Sequence, residues 1–235
     1  LGDAPRAPEY LIENLHKVQD RFGCLSAAHL AALAEAMKLS QAEVFEVASF
    51  YHHFDIVKEG DAAPPRLTVR VCDGLACEMA GARELLAKLP ALFGGEVRVI
   101  AAPCIGRCEQ APAVAVGQHP IANATAASVQ AAVKAGRTRH EPKDFVDLEA
   151  YKADGGYALL KTCIAGEIEV EQVIKALEDS GLRGLGGAGF PAGRKWRIVR
   201  NEPAPRLMAV NIDEGEPGTF KDRVYLERDP HRFIE

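Results

Sequence analysis

No apolar run in this sequence approaches the roughly 18 residues that a membrane-spanning helix needs, which excludes a helical membrane anchor within it. Positive charge is not in excess either. The 28 Lys and Arg are outnumbered by 33 Asp and Glu, for a net charge of −5, so neither nucleic acid nor an anionic membrane is indicated as a partner. The first residues, Leu1-Gly2-Asp3-Ala4-Pro5-Arg6, lack the charged-then-apolar layout of a secretory signal. These absences point to a cytoplasmic protein. An initiator methionine is missing too, and an amphipathic pattern still runs at Arg232-Phe233-Ile234-Glu235, which suggests part of a longer polypeptide. What is present suffices for a soluble core: 48 % of the 235 residues are hydrophobic, enough chain for one large or two small domains.

The periodicity changes along the chain. Leu11, Leu15, Val18 and Phe22 share a helical face that Gly23 ends. Ser26 is placed to cap a second helix with the stripe Leu30, Leu33 and Met37. Ser40-Gln41-Ala42-Glu43 is a capping box for a third, with Val44, Val47, Ala48 and Tyr51 on its face. His52 and His53 close that helix and are expected to stabilise its C-terminus. Residues 1–60 thus read as a helical bundle. After a turn-rich connector the period becomes two: Leu67, Val69 and Val71 alternate with Thr68 and Arg70, a half-buried strand ending at Cys72. A helix at 82–89, strands at 97–101 and 113–116 and a helix at 126–135 complete a unit of thioredoxin-like size and order over 66–136. Residues 137–150 are polar and read as a linker. In the region 151–235, helices are expected at 157–164 and 170–177, and a buried strand at 206–210 runs into the acidic loop Asn211-Ile212-Asp213-Glu214-Gly215-Glu216-Pro217-Gly218.

Four of the six cysteines form two short-spaced pairs, Cys72-Asp73-Gly74-Leu75-Ala76-Cys77 and Cys104-Ile105-Gly106-Arg107-Cys108. Each follows an expected strand, so adjacent strands would bring both loops to one end of the sheet. Four thiolates converging there suit an iron–sulfur cluster or a tetrahedral zinc site; disulfides or inert thiols remain open on spacing alone. Gly74 and Gly106 permit tight turns whose amides can point at sulfur. Cys24 and Cys163 lie in apolar helical settings and read as buried inert thiols.

Six glycines fall between Gly181 and Gly193, followed by Lys195 and Trp196. Glycines free backbone N–H groups to hold phosphate, and an ammonium complements the same anion. Gly184-x-Gly186-x-x-Gly189 matches the dinucleotide fingerprint, but helical spacing before it and Pro191 after it do not give the required strand and helix. The Arg194-Lys195-Trp196 that follows Gly193 also excludes a P-loop. The cluster reads as an unusual phosphate or nucleotide loop.

The cysteine pairs behind a helical bundle resemble the 24-kDa-type [2Fe–2S] subunit of respiratory complex I. Gly184 to Trp196, with Asn211 to Arg223, resembles its 51-kDa-type flavoprotein subunit. Both modules on one chain are similar to the diaphorase subunits of soluble NAD-linked enzymes, nearest to the β subunits of molybdenum- or tungsten-dependent formate dehydrogenases. The equivalent subunits of NAD-reducing hydrogenases and of complex I are the alternatives.

The resemblance implies a thioredoxin-like [2Fe–2S] domain followed by the start of an α/β FMN- and NAD-binding domain. Cys72, Cys77, Cys104 and Cys108 would ligate the cluster. Gly184, Gly186, Gly187 and Lys195 would hold the FMN phosphate region, and Asn211, Asp213 and Glu214 the flavin's polar groups. Phe190 would line the adenine side of the NAD site and Glu216 would contact the nicotinamide end, with Lys195 also near the dinucleotide. Such relatives continue into a further [4Fe–4S] domain and work beside a catalytic subunit carrying molybdenum or tungsten cofactor and iron–sulfur clusters. Leu185 and Ala192 stand where complex I subunits often have arginine and threonine, and Leu185 leans toward formate dehydrogenase. The chemistry is consistent: NAD exchanges a hydride, a cluster one electron, and flavin converts between them, so no side-chain acid or base is assigned. A zinc-stabilised adaptor, its glycine loop contacting a partner protein, is the reading from a different class.

Overall fold

The computed structural model describes residues 2–142, 144–185 and 187–235. Contacts divide them into two units, 1–141 with 215–220, and 142–214 with 221–235.

In the first unit, α1 (Leu11–Phe22), α2 (Ala27–Met37) and α3 (Gln41–Phe50) form the bundle. Gly23 ends α1 at φ 80°, and the Ser26 and Ser40 hydroxyls accept the His29 and Glu43 amides as caps. Leu15, Leu25, Leu33, Met37, Val44 and Ala48 fill the core between them. Two dipeptides that show no strand periodicity, β1 (Leu25–Ser26) and β2 (Ile56–Val57), pair in parallel and tie the bundle's ends together.

His53 departs from its expected role. It lies beyond the end of α3, its ring 4.8 Å from that of His16. Burial, and then the nearby charges of Arg70 and His16, pull its pKa down to about 4, so at neutral pH it carries no charge for a helix terminus. The unfolded chain binds that proton near pH 6.5, so stability conferred by neutral His53 is lost as pH falls from 6.5 toward 4. Discounted for its partial exposure, the loss is about 1–2 kcal/mol. Urea titrations of wild type and His53→Gln at pH 7 and pH 4.5 should differ by that amount.

The sheet follows. β3 (Leu67–Cys72) leads through α4 (Leu75–Met79), α5 (Ala82–Lys88) and α6 (Pro90–Phe93) to β4 (Val97–Ala102), which lies parallel to it with Cys72 opposite Ala102. β5 (Val114–Val116) is antiparallel to β3, and β6 (His119–Ile121) returns along β5 through a two-residue turn that begins with Gly117 at φ 60°. The order is β4-β3-β5-β6. α7 (Ala126–Lys134) contributes Val129 and Ala132 to the core that also holds Val69, Val114 and Leu85. The edge strand β6 is not legible in the sequence because Pro120 interrupts a three-residue run. β3 also differs from expectation: Thr68 and Arg70 are buried, because the face read as solvated meets the 53–55 turn of the bundle.

The second unit is helical: α8 (Leu148–Ala153), α9 (Ala158–Ile164), α10 (Val170–Asp179), α11 (Ala192–Asn201), α12 (Lys221–Arg228) and α13 (Pro230–Ile234). α10 packs on α11, and Arg197 forks onto Glu178 at 2.7 and 2.9 Å and reaches Glu171 at 3.0 Å. The expected buried strand at 206–210 is absent. Leu207 and Met208 are 90 % and 89 % exposed, and the stretch pairs with no strand among the described residues. Among the described residues no helix is long and apolar enough to cross a membrane.

Gly193 sets the α10–α11 approach. A Cβ there would sit 2.5 Å from the Glu178 backbone nitrogen and 2.9 Å from its Cα. Backbone cannot yield as a side-chain end does, so Gly193→Ala is expected to cost about 2–3 kcal/mol by forcing the helices apart. Denaturant unfolding of the chain checks this. A loss below about 0.5 kcal/mol, the scatter of neutral surface changes, would show the helices free to separate.

Candidate functional site

The thiols come first. Because β3 and β4 run parallel, the residues that follow each leave the sheet at the same end. Cys72 closes β3 and Cys77 sits on α4; both are 2 % exposed. Cys104 and Cys108 lie on the loop after β4, Cys104 exposed and Cys108 half-buried. Gly74 is where the two loops meet: a Cβ on it would lie 3.3 Å from the Cys104 Cβ and 3.4 Å from the Cys72 Sγ. Its φ is negative, so it serves close approach rather than a left-handed turn. Gly106, at φ 73°, does make that turn, and its N–H points at the Cys104 Sγ, 3.4 Å away.

The sulfurs gather in pairs. Cys104 and Cys108 Sγ are 3.6 Å apart, while Cys77 has the Cys72 thiol as its hydrogen-bonding neighbour. Two sulfurs bound tetrahedrally at about 2.3 Å to one metal stand about 3.7 Å apart, so the 3.6 Å pair already has the spacing of a shared metal. Among the described residues no three His, Cys, Asp or Glu side chains converge as for a single ion. Two pairs of thiols fit a two-iron cluster, one pair to each iron, better than one tetrahedral zinc. Burial pushes the Cys77 thiol up to about 11, against the pull of the Ala113 N–H, 3.3 Å from its sulfur. A thiolate there needs a metal's charge beside it. Cys24 is buried, and Cys163, expected to be buried, is half-buried.

The glycine loop is closed at its neck. The Gly184 N–H donates to the Phe190 carbonyl at 2.9 Å and the Ala192 N–H to that of Leu182 at 2.8 Å, with Arg183 opposite Pro191 in an antiparallel bridge. The helix α10 precedes it, and α11 opens at Ala192, only after the last glycine of the fingerprint. Gly186 lies outside the described residues. Leu185 is fully exposed and nothing lies within 4 Å of where a Gly187 Cβ would be. Among the described residues the N–H groups of Leu185 and Gly187 meet no protein acceptor. Lys195 stands in the first turn of α11, and Arg194 lies over the Phe190 ring, 5.8 Å from its centroid. Open amides, a helix N-terminus and Lys195 fit a phosphate group.

The acidic loop divides. Asn211 Oδ1 accepts the Asp213 amide at 2.9 Å. The Glu214 carboxylate accepts the amides of Asp222 at 2.8 Å and Arg223 at 3.3 Å, capping α12, a role not read from the sequence. Glu216 lies on the segment 215–220, which groups with the first unit by its contacts.

Sequence reasoning misses a charged cluster behind the sheet. Asp55 accepts from Arg70 Nη2 at 3.3 Å and from Arg98, which also donates to Thr68 Oγ1 at 3.1 Å. Arg70 Nη2 and Gln19 Nε2 each reach the His53 carbonyl at 2.9 Å. Alternation along β3 assigns Arg70 to solvent; only the bundle's presence overrides it.

Residues 1–137 match the family described as thioredoxin-like [2Fe–2S] ferredoxin, and residues 177–235 match the Nuo51 FMN-binding domain. The NAD-reducing hydrogenase HoxS subunit alpha of Cupriavidus necator is 32 % identical over 95 % of this chain and 42 % of its own length. The mitochondrial NADH-ubiquinone oxidoreductase 51 kDa subunit of Neurospora crassa is 48 % identical over 27 % of this chain and 14 % of its own length. A crystal structure of NAD+-reducing [NiFe]-hydrogenase in the H2-reduced state superposes with a TM-score of 0.66 at 30 % identity, over 96 % of this chain and 41 % of that one. The chain thus spans less than half the length of each of these relatives. It is mixed α/β, with a [2Fe–2S] domain fused to the start of an FMN-binding domain, and it belongs to the thioredoxin-like [2Fe–2S] ferredoxin family.

Proposed function

We propose that this chain is part of the diaphorase subunit of a cytoplasmic NAD-dependent formate dehydrogenase. Formate and NAD+ give CO2 and NADH, with formate oxidised on a partner subunit that carries molybdenum or tungsten cofactor and iron–sulfur clusters. The observation that carries the diaphorase reading is the joining of paired thiols at a sheet end to an open glycine loop on one chain. When bound, FMN supplies the exchange between electron pairs and single electrons.

Residues 1–60 form the bundle and 66–136 the cluster domain; 137–150 link them to the flavoprotein part, 151–235. Cys72, Cys77, Cys104 and Cys108 hold the [2Fe–2S] cluster. The backbone at Gly184, Gly186 and Gly187 and the Lys195 ammonium hold the FMN phosphate. Asn211, Asp213 and Glu214 bond the flavin's polar edge, Phe190 faces adenine and Glu216 the nicotinamide end of NAD. A [4Fe–4S] cluster belongs to the rest of the subunit.

Leu185, in place of arginine, supports formate as the partner substrate. A second reading, NAD-reducing hydrogenase, is favoured by the match of nearly the whole chain to HoxS subunit alpha. Purification of the intact complex, with metal analysis and NAD+ reduction assayed with formate and with H2, separates them. Formate-dependent NADH with molybdenum or tungsten is expected; NADH from H2 alone would replace formate by hydrogen.

Arg107, between two thiols and donating to Gln110 Oε1 at 3.3 Å, is a cation beside the cluster. It favours the reduced, more negative state, so Arg107→Glu is expected to lower the [2Fe–2S] midpoint potential by some tens of millivolts, on the order of 1 kcal/mol per electron. An unchanged redox titration would reject this.

A further inference from the structure

We propose that the cleft between the helical bundle and the sheet binds a small phosphate-like oxyanion, with Arg70 at its floor and Arg66 and Arg139 at its mouth. The cleft has a volume of about 430 Å³ and is lined by neither the thiol loops nor the glycine loop.

Arg70 is 7 % exposed. One of its terminal nitrogens, Nη2, serves the His53 carbonyl and Asp55 Oδ2, but its buried Nε–H meets no acceptor. A buried donor left so costs free energy unless something occupies the space before it. Arg66 and Arg139, both exposed, pair with no carboxylate among the described residues. The facing acids are Asp20 and Asp55, and each is engaged: Asp20 accepts from Gln118 Nε2 at 3.1 Å, and Asp55 is shared between Arg70 and Arg98. Three guanidinium groups therefore face two committed carboxylates, and the remaining field is positive. His53, which lines the same cleft, is held neutral partly by Arg70, in keeping with that field.

The mouth is fixed in place. The Gln118 N–H donates to the Thr138 carbonyl at 2.8 Å, and Gly117 passes so close that a Cβ on it would lie 2.9 Å from the same oxygen. Arg139 is thereby anchored next to the β5–β6 turn. Guanidinium forks match the oxygens of phosphate, and a water molecule would answer the Nε–H but not the surplus charge.

Isothermal titration of the full chain with inorganic phosphate, and separately with AMP, at constant ionic strength tests this. Hydrogen exchange is followed at 66–70 and 117–119, which keeps the cleft distinct from the glycine loop. Saturable binding with slowed exchange there is expected, weakened at least tenfold in Arg66→Ala plus Arg139→Ala, which alters only exposed residues and should fold. The same variant should leave NADH oxidation by the intact complex unchanged. Equal affinity for phosphate and AMP would identify free phosphate as the ligand, and tighter AMP a nucleotide phosphoryl group. The proposal is overturned if exchange at these segments does not respond to phosphate, if chloride reproduces the response, or if the double variant binds as wild type does.

Discussion

Asp55→Ala is expected to destabilise the first unit by about 3–5 kcal/mol, a large part of an ordinary domain's stability. Asp55 is a carboxylate shared by Arg70 and Arg98, and the Arg70 and Asp55 side chains are 8 % and 13 % exposed. Burial already lowers the Arg70 pKa, and Asp55 opposes that shift. Removing the carboxylate leaves a guanidinium buried with one carbonyl acceptor, and it cannot shed its proton at any ordinary pH. The same change frees Arg98 to solvent at little cost, because its side chain is 27 % exposed. Asp55→Asn keeps an acceptor without the charge and should cost roughly half as much. Replacing both, Asp55→Leu with Arg70→Met, should recover most of the loss, since a well-packed apolar pair needs no compensation. Urea unfolding of the three variants is the measurement. A loss below about 1 kcal/mol for Asp55→Ala would mean that Arg70 is solvated, as surface pairs are.

The same cluster marks where sequence reading stops. Helices are legible where local chemistry sets them: the cap at Ser26, the capping box at Ser40 and the stop at Gly23 need only neighbours in the chain. The thiol loops are legible because two strands and two short spacings suffice to place them. Arg70 is not, since burial of an alternate strand position depends on whether a second layer covers that face. Leu207 and Met208 mislead for the converse reason: their stretch favours a strand, but pairing needs an edge from elsewhere. Glu214 shows a third limit. The acidic loop suggests a carboxylate for a ligand, and that Glu214 also caps a helix is revealed only by the amides of Asp222 and Arg223.

Cys77→Ser is expected to lower [2Fe–2S] content roughly tenfold or more while leaving FMN content of the intact subunit unchanged. Cys77 is the most demanding of the four positions. It is 2 % exposed, its thiol is pushed up to about 11, and its sulfur already takes the Ala113 N–H at 3.3 Å. Iron bound there must displace a proton that burial holds, and a serine hydroxyl holds its proton more firmly still. On the proposed ligand set the substitution also breaks a pair rather than one corner of a four-fold site, and the Cys72 thiol would lack its partner on the same iron. Cys24→Ser, at a buried thiol apart from these loops, serves as the control and should keep the cluster. Visible absorbance, the electron paramagnetic resonance of the reduced cluster and iron analysis read the result. They also separate the two metal readings, because a zinc site would be colourless and silent in wild type and variant alike. Full cluster content in Cys77→Ser would remove this thiol from the ligand set and leave the pairing argument without its buried half.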